Sequence, residues 1–133
     1  MGVAENKQVV LDFYEYGARG DIESCFGLLA EDVTWTNIGT TKFSGTYVGK
    51  QAVAEELVGP LFSQLKAGIA STIEQLTAEG DIVVAQTSGT AETKDGTPYN
   101  NSYCQVIRIR DGQIIAVREY MDTALIDAVF GAA

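Results

Sequence analysis

Histidine is absent from this 133-residue sequence, and that decides which chemistry its side chains can do. Without an imidazole there is no Ser/His/Asp or Cys/His triad, no typical zinc site and no ordinary general base near neutral pH. Acid/base work must rest on carboxylates, tyrosines or lysines. The carboxylate that the pattern singles out is Glu119. In a strand over residues 113–121, Ile115, Val117, Glu119 and Met121 share one face, while Ala116, Arg118, Tyr120 and Asp122 share the other. Glu119 therefore sits on the more apolar face, where desolvation raises a carboxyl pKa toward values useful for proton transfer. Two readings of it stand: a proton carrier in a pocket, or a carboxylate paired with a polar neighbour or reaching solvent at a sheet edge. A bulge in this strand would reverse the phase and turn Arg118 and Asp122 inward. Without one, Arg118 belongs on the outer face and Asp122 caps the last helix.

Other polar residues have phases that could join Glu119. Val84, Gln86 and Ser88 share a face, as do Asn101, Tyr103, Gln105 and Ile107. The expected site has Glu119 and Asn37 as its catalytic pair. Tyr14, Trp35, Phe62, Gln86, Ser88, Asn101, Tyr103 and Gln105 are its ligand-binding residues. The same polar groups could instead form a buried network that orders the core without touching a ligand. Cys25 and Cys104 lie far apart without metal-ligand spacing, and there is no Gly-rich phosphate loop or paired-carboxylate motif. No cofactor and no metal are expected. A formal charge of −9 argues against nucleic-acid and anionic-membrane partners, which need Lys and Arg for neutralisation.

The elements that must hold these residues follow from periodicity. At 46% hydrophobic and 20% charged residues the chain reads as one globular domain over 1–133, with no apolar run long enough to span a bilayer. Its first residues lack the features of a secretory signal, so a cytoplasmic location is expected. Val10, Phe13, Tyr14 and Gly17 mark a first helix ending before Gly20. Asp21 opens a second, with Ile22, Phe26 and Leu29 as its buried stripe. Val33 to Asn37 reads as a short strand, followed by a loop to Gly49. A third helix carries Val53, Leu57 and Leu61, and Pro60 should kink or split it. Three turn signals, around Gly80, Gly96 and Gly112, divide the remainder into a four-stranded meander over roughly 69–78, 82–93, 99–109 and 113–121. A short helix over 123–130 closes the chain. The fold class is α+β: a curved antiparallel sheet on three N-terminal helices, with a wedge-shaped gap between them as the candidate pocket. Apolar residues on the other face, including Val106, Ile114 and Tyr120, lead us to expect a homodimer through that face.

Three segments carry a family resemblance: Ala18-Arg19-Gly20-Asp21 with Leu28 to Trp35, Tyr47 to Val53, and Val106 to Ile114. With the element order, they make the chain resemble the NTF2-like superfamily, in its branches related to ketosteroid isomerase, SnoaL-type polyketide cyclases and limonene-epoxide hydrolase. The resemblance implies a cone-shaped domain that holds a small, largely apolar molecule. The strand position of the isomerase's catalytic aspartate reads Trp35-Thr36-Asn37, and asparagine cannot take a proton as a carboxylate does. The epoxide-hydrolase branch has an aromatic-x-Asn on that strand and an acidic residue near the end of the last, which here are Trp35-Thr36-Asn37 and the stretch Arg118-Glu119-Tyr120-Met121-Asp122, with Glu119 at the matching position. Its Arg-x-Asp pair falls near Val84 to Ser88, where this chain carries no charge. The expected function is a cofactor-independent isomerase, cyclase or hydrolase acting on a small apolar oxygenated compound. The alternative is a non-catalytic ligand-binding or dimeric scaffold module.

Overall fold

The computed structural model describes residues 2–133. Helix α1 (Val3–Ala18) buries Val9 and Val10 and lays Phe13 and Tyr14 against the core. In α2 (Ile22–Gly27) the Asp21 carboxylate accepts from the Ser24 N–H at 3.1 Å, a side-chain N-cap. This helix is shorter than its apolar pattern suggests. Cys25 is its buried residue, Ile22 is exposed, and Leu29 instead opens strand β1 (Leu29–Asn37), where it is fully buried. Strand β2 (Gly45–Val48) occupies part of the stretch expected to be a loop.

The proline expectation is met in an unusual way. Helix α3 (Lys50–Ala52) runs into a π-helical segment (Val53–Val58), then into α4 (Gly59–Phe62). Pro60 has no N–H and its ring clashes with the carbonyl four residues back. The helix accommodates this by widening. The Gly59 N–H donates to Ala54 O, five residues back, and Pro60 opens the first turn of α4, where its missing donor costs nothing.

Strands β3 (Ala70–Glu79), β4 (Ile82–Thr90), β5 (Asn101–Arg110) and β6 (Gln113–Met121) form the antiparallel meander. The β5–β6 turn is a two-residue hairpin in which Asp111 and Gly112 both have positive φ, the Asp-Gly chemistry that matches strand twist. The sheet has six strands in the order β2-β1-β6-β5-β4-β3. It is mixed rather than wholly antiparallel, because β1 runs parallel to β6. A parallel neighbour needs a long crossover, and here the rest of the chain between β1 and β6 supplies it. Helix α5 (Thr123–Phe130) is capped by Asp122, whose carboxylate accepts from the Leu125 N–H at 3.3 Å.

The inner face carries two apolar clusters. One joins Val9 and Val10 of α1 to Leu29, Val33, Ile107 and Val117, and the other gathers Phe43, Leu57, Tyr99, Ile126 and Phe130. Trp35 and Tyr47 pack against both. Along each central strand the inward residues turn polar between them: Asn37 on β1, Thr87 on β4, Asn101, Tyr103 and Gln105 on β5, Glu119 on β6.

Candidate active site

Strand register brings the polar residues together. Glu119 lies opposite Asn37 across the parallel β1–β6 pair and opposite Gln105 across the antiparallel β5–β6 pair. Gln105 Nε2 donates to Glu119 Oε1 at 2.6 Å, and the Tyr14 hydroxyl from α1 donates to Gln105 Oε1. The register shift between β5 and β6 falls at Ile115, between Ile114 and Ala116: it turns Ile114 into the first apolar cluster, correcting its expected place on the outer face, and from Ala116 the strand alternates unbroken to Glu119. Arg118 points the other way and donates through Nε to the Tyr120 hydroxyl at 2.8 Å.

The remaining sequence-predicted residues divide. The Trp35 indole N–H donates to Asn37 Oδ1 at 3.1 Å, and Asn37 Nδ2 donates to the Phe43 carbonyl at 3.2 Å. Tyr103 donates to the Tyr99 hydroxyl at 3.3 Å. Asn101 is on the same face but has no hydrogen-bonding capacity left for a ligand. Nδ2 donates to Tyr99 and to the Asp122 carbonyl, while Oδ1 accepts from the Ser102 and Asp122 N–H groups. Phe62, at the end of α4, is exposed and packs beside Gly68.

Gln86 and Ser88 are a correction: both belong to the outer face. Inward on β4 are the buried Val83, Ala85, Thr87 and Gly89, with Ala85 opposite Gln105 and Thr87 opposite Tyr103, whereas Gln86 and Ser88 lie opposite the outward Cys104 and Ser102. Thr87 is the residue the sequence reading missed. The signal was there in the small buried alternation Val83, Ala85, Thr87, Gly89. Gly89 matters for space. A Cβ there would lie 2.7 Å from Ile69 Cγ2 and 3.0 Å from Tyr103 Cε2. Gly89→Ala is expected to push the Tyr103 ring away from Tyr99 and to cost about 1–3 kcal/mol, as overpacking does; urea denaturation measures it.

Electrostatics follow from burial, with no cation acting on Glu119 among the described residues. Burial raises the pKa of Glu119, while the hydrogen bond from Gln105, and then the neighbouring Trp35 indole N–H, act in the opposite direction. Tyr14 is raised by burial and by the Glu119 charge, with Thr87 opposing. Burial also raises Tyr103 and Tyr99, so all three phenols hold their protons at neutral pH. Tyr14, Trp35, Tyr103, Glu119 and Met121 each keep partial solvent contact, so the concave face is reachable. Two surface cavities lie elsewhere. One of about 450 Å³ is lined by Gly2, Asn6, Gly80 and Arg110 among others, and one of about 280 Å³ by Gln64, Lys94, Asp95 and Phe130 among others. Among the described residues no three His, Cys, Asp or Glu side chains group to hold a metal, and no helix is long and apolar enough to cross a membrane.

A curved six-stranded sheet enclosing a polar patch against N-terminal helices defines the NTF2-like class. The profile of the SnoaL-like domain family matches residues 10–117, and the chain belongs to that family. Among solved structures it is similar to an NTF2-like protein of unknown function from Burkholderia pseudomallei, with 21% identity over 99% of this chain and 100% of that one and a TM-score of 0.86. A candidate isomerase from Bacillus subtilis is 22% identical over 100% and 98% of the two chains, with a TM-score of 0.83. A candidate SnoaL-like polyketide cyclase from Jannaschia sp. is 18% identical over 98% and 94%, with a TM-score of 0.82. No curated protein matches the sequence.

Proposed function

We propose that this chain is a cofactor-independent acid/base enzyme, an isomerase, cyclase or hydrolase, acting on a small, largely apolar, oxygenated molecule at the concave face. The observation that carries this reading is Glu119, a carboxylate desolvated among neutral side chains, held by Gln105 and still touched by solvent. As a base it takes a proton from a carbon beside a carbonyl, or from water beside an epoxide. Tyr99 and Tyr103, protonated at neutral pH, can exchange their mutual hydrogen bond for one to a developing oxyanion. The candidate isomerase and polyketide cyclase among the similar structures support this chemistry. The test is deuterium exchange at the α-carbon of a panel of neutral cyclic ketones in D₂O, followed by proton NMR. Exchange should be faster with the wild-type protein than with Glu119→Gln. Equal rates across the panel would sink the reading.

A second reading, a binding or scaffold module without chemistry, draws support from the saturated hydrogen bonding of Asn101 and from the two surface cavities lying away from Glu119. It predicts a ligand recovered unaltered and bound equally by Glu119→Gln. Either way the outer sheet face suits a second copy of the chain, since Val48 is 65% and Tyr120 41% exposed there, beside Val84 and Val106. Light scattering is expected to give a dimer mass that Tyr120→Glu lowers to the monomer; a wild-type monomer would refute it.

A further inference from the structure

The hydrogen bonds around Gln105 have a direction, and that direction bears on Glu119. A glutamine amide is a donor at one end and an acceptor at the other, so what faces it on one side decides what it presents on the other. The phenol of Tyr14 donates to Gln105 Oε1, and Gln105 Nε2 then donates to Glu119 Oε1 at 2.6 Å. Gln105 is buried on β5, and the chain of donors links α1 to β5 to β6. With the amide reversed, Oε1 would face Glu119 and could accept only from its protonated form.

We infer that Tyr14 is a positioning residue: its hydroxyl fixes the Gln105 amide so that a donor faces Glu119, steadying the carboxylate as the proton acceptor. This rests on the reading of Glu119 as the proton carrier. The two central interactions are aligned dipoles that strengthen one another in a low-dielectric interior. Burial opposes the carboxylate, and the hydrogen bond from Gln105 is what chiefly opposes burial, with the Trp35 indole N–H, bonded to Asn37, adding to it from nearby. Among the described residues no other charge takes their place. Facing Glu119 are Tyr14 of α1, Trp35 and Asn37 of β1, Tyr103 of β5 and Tyr99 before it, all of them neutral. Arg118 is on the outer face with Tyr120, and Glu55 and Glu56 of the π-helical segment are exposed. Asp122, at the end of β6, spends its carboxylate on the cap of α5.

The test is the Glu119 carboxyl titration, followed by ¹³C NMR in the wild type, Tyr14→Phe, Gln105→Met and the double variant. Both single variants retain packing volume. Tyr14→Phe should raise the Glu119 midpoint by about half to one pH unit, and Gln105→Met by about one to two. The double variant should match Gln105→Met, because Tyr14 acts through Gln105. A Tyr14→Phe shift that persists undiminished in the Gln105→Met background would show direct action and overturn the inference; so would an unmoved midpoint in Tyr14→Phe. These readouts need no turnover. Ketone exchange that depends on Glu119 but ignores Tyr14 sinks the inference alone. The expected titration shifts without any exchange sink the enzymatic reading and leave Tyr14's positioning of Glu119 standing.

Discussion

Glu119→Gln is expected to lower proton-transfer turnover by roughly 10²–10⁴-fold, the usual contribution of a positioned general acid or base, and at the same time to raise the stability of the fold at neutral pH. The two effects have one cause. A glutamine carbonyl can still accept from Gln105 Nε2, so the hydrogen bond at 2.6 Å survives. What disappears is a carboxylate that burial disfavours in its charged form. The folded-state pKa of Glu119 is raised above its ordinary value of 4.5, so its contribution to stability is fully present below that value. It is lost as pH rises through the raised folded pKa. The variant lacks this titration. The stability gap between the two proteins should therefore be smallest at low pH, widen with rising pH and then level off. Thermal melts across that range measure it, together with the exchange assay. A variant less stable than the wild type at neutral pH would mean that the carboxylate is a structural anchor and not a strained functional group.

The opposition of stability and function at Glu119 also explains why this residue was legible in the sequence. A strand that alternates Ile115, Val117, Glu119 and Met121 on one face breaks its own apolar pattern at one position, and a local conflict of that kind marks a functional or strained site. Alternation needs no knowledge of distant pairing over an unbroken stretch such as Ala116 to Met121, and it fails across the register shift at Ile115, where Ile114 turns inward. The error at Gln86 and Ser88 shows the limit. Period-two alternation sorts residues into two faces but does not say which face is inward, and polar character favoured the wrong one. Pairing with β5 decides it, by setting Ala85 against Gln105. Similarly, the sequence carried no sign that β1 runs parallel to β6, since that contact joins residues some eighty positions apart. Strand β2 lay hidden in a stretch of Gly and Thr residues whose strand pairing comes entirely from β1. Tyr14 and Gln105 were each recognised as facing the site, but the direction of the hydrogen bonds between them is a property of three elements meeting.

Asn101→Ala is expected to be among the most damaging single substitutions in the protein, costing about 3 kcal/mol or more. Asn101 ties the start of β5 to the end of β6 through the Asp122 backbone, with Nδ2 to the Asp122 carbonyl at 3.2 Å and the Asp122 N–H to Oδ1 at 3.1 Å. Its truncation strands the Ser102 and Asp122 N–H groups and the Asp122 carbonyl, at about 1–3 kcal/mol for each that stays dry. The damage then spreads along the chain. Asp122 is the N-cap of α5, and α5 brings Ile126 and Phe130 into the second apolar cluster, where Phe130 meets Phe43 and Tyr99 edge-on at 5.4 and 4.9 Å. Loosening Asp122 therefore loosens the lid of that cluster before it disturbs the first one. Hydrogen exchange should show α5 and the start of β5 losing protection while α1 and the 107–109 stretch of β5 keep theirs. Uniform loss of protection would contradict this order. Asp122→Ala should reproduce the α5 effect alone, at about 1 kcal/mol, because the backbone groups that Asn101 binds remain in place.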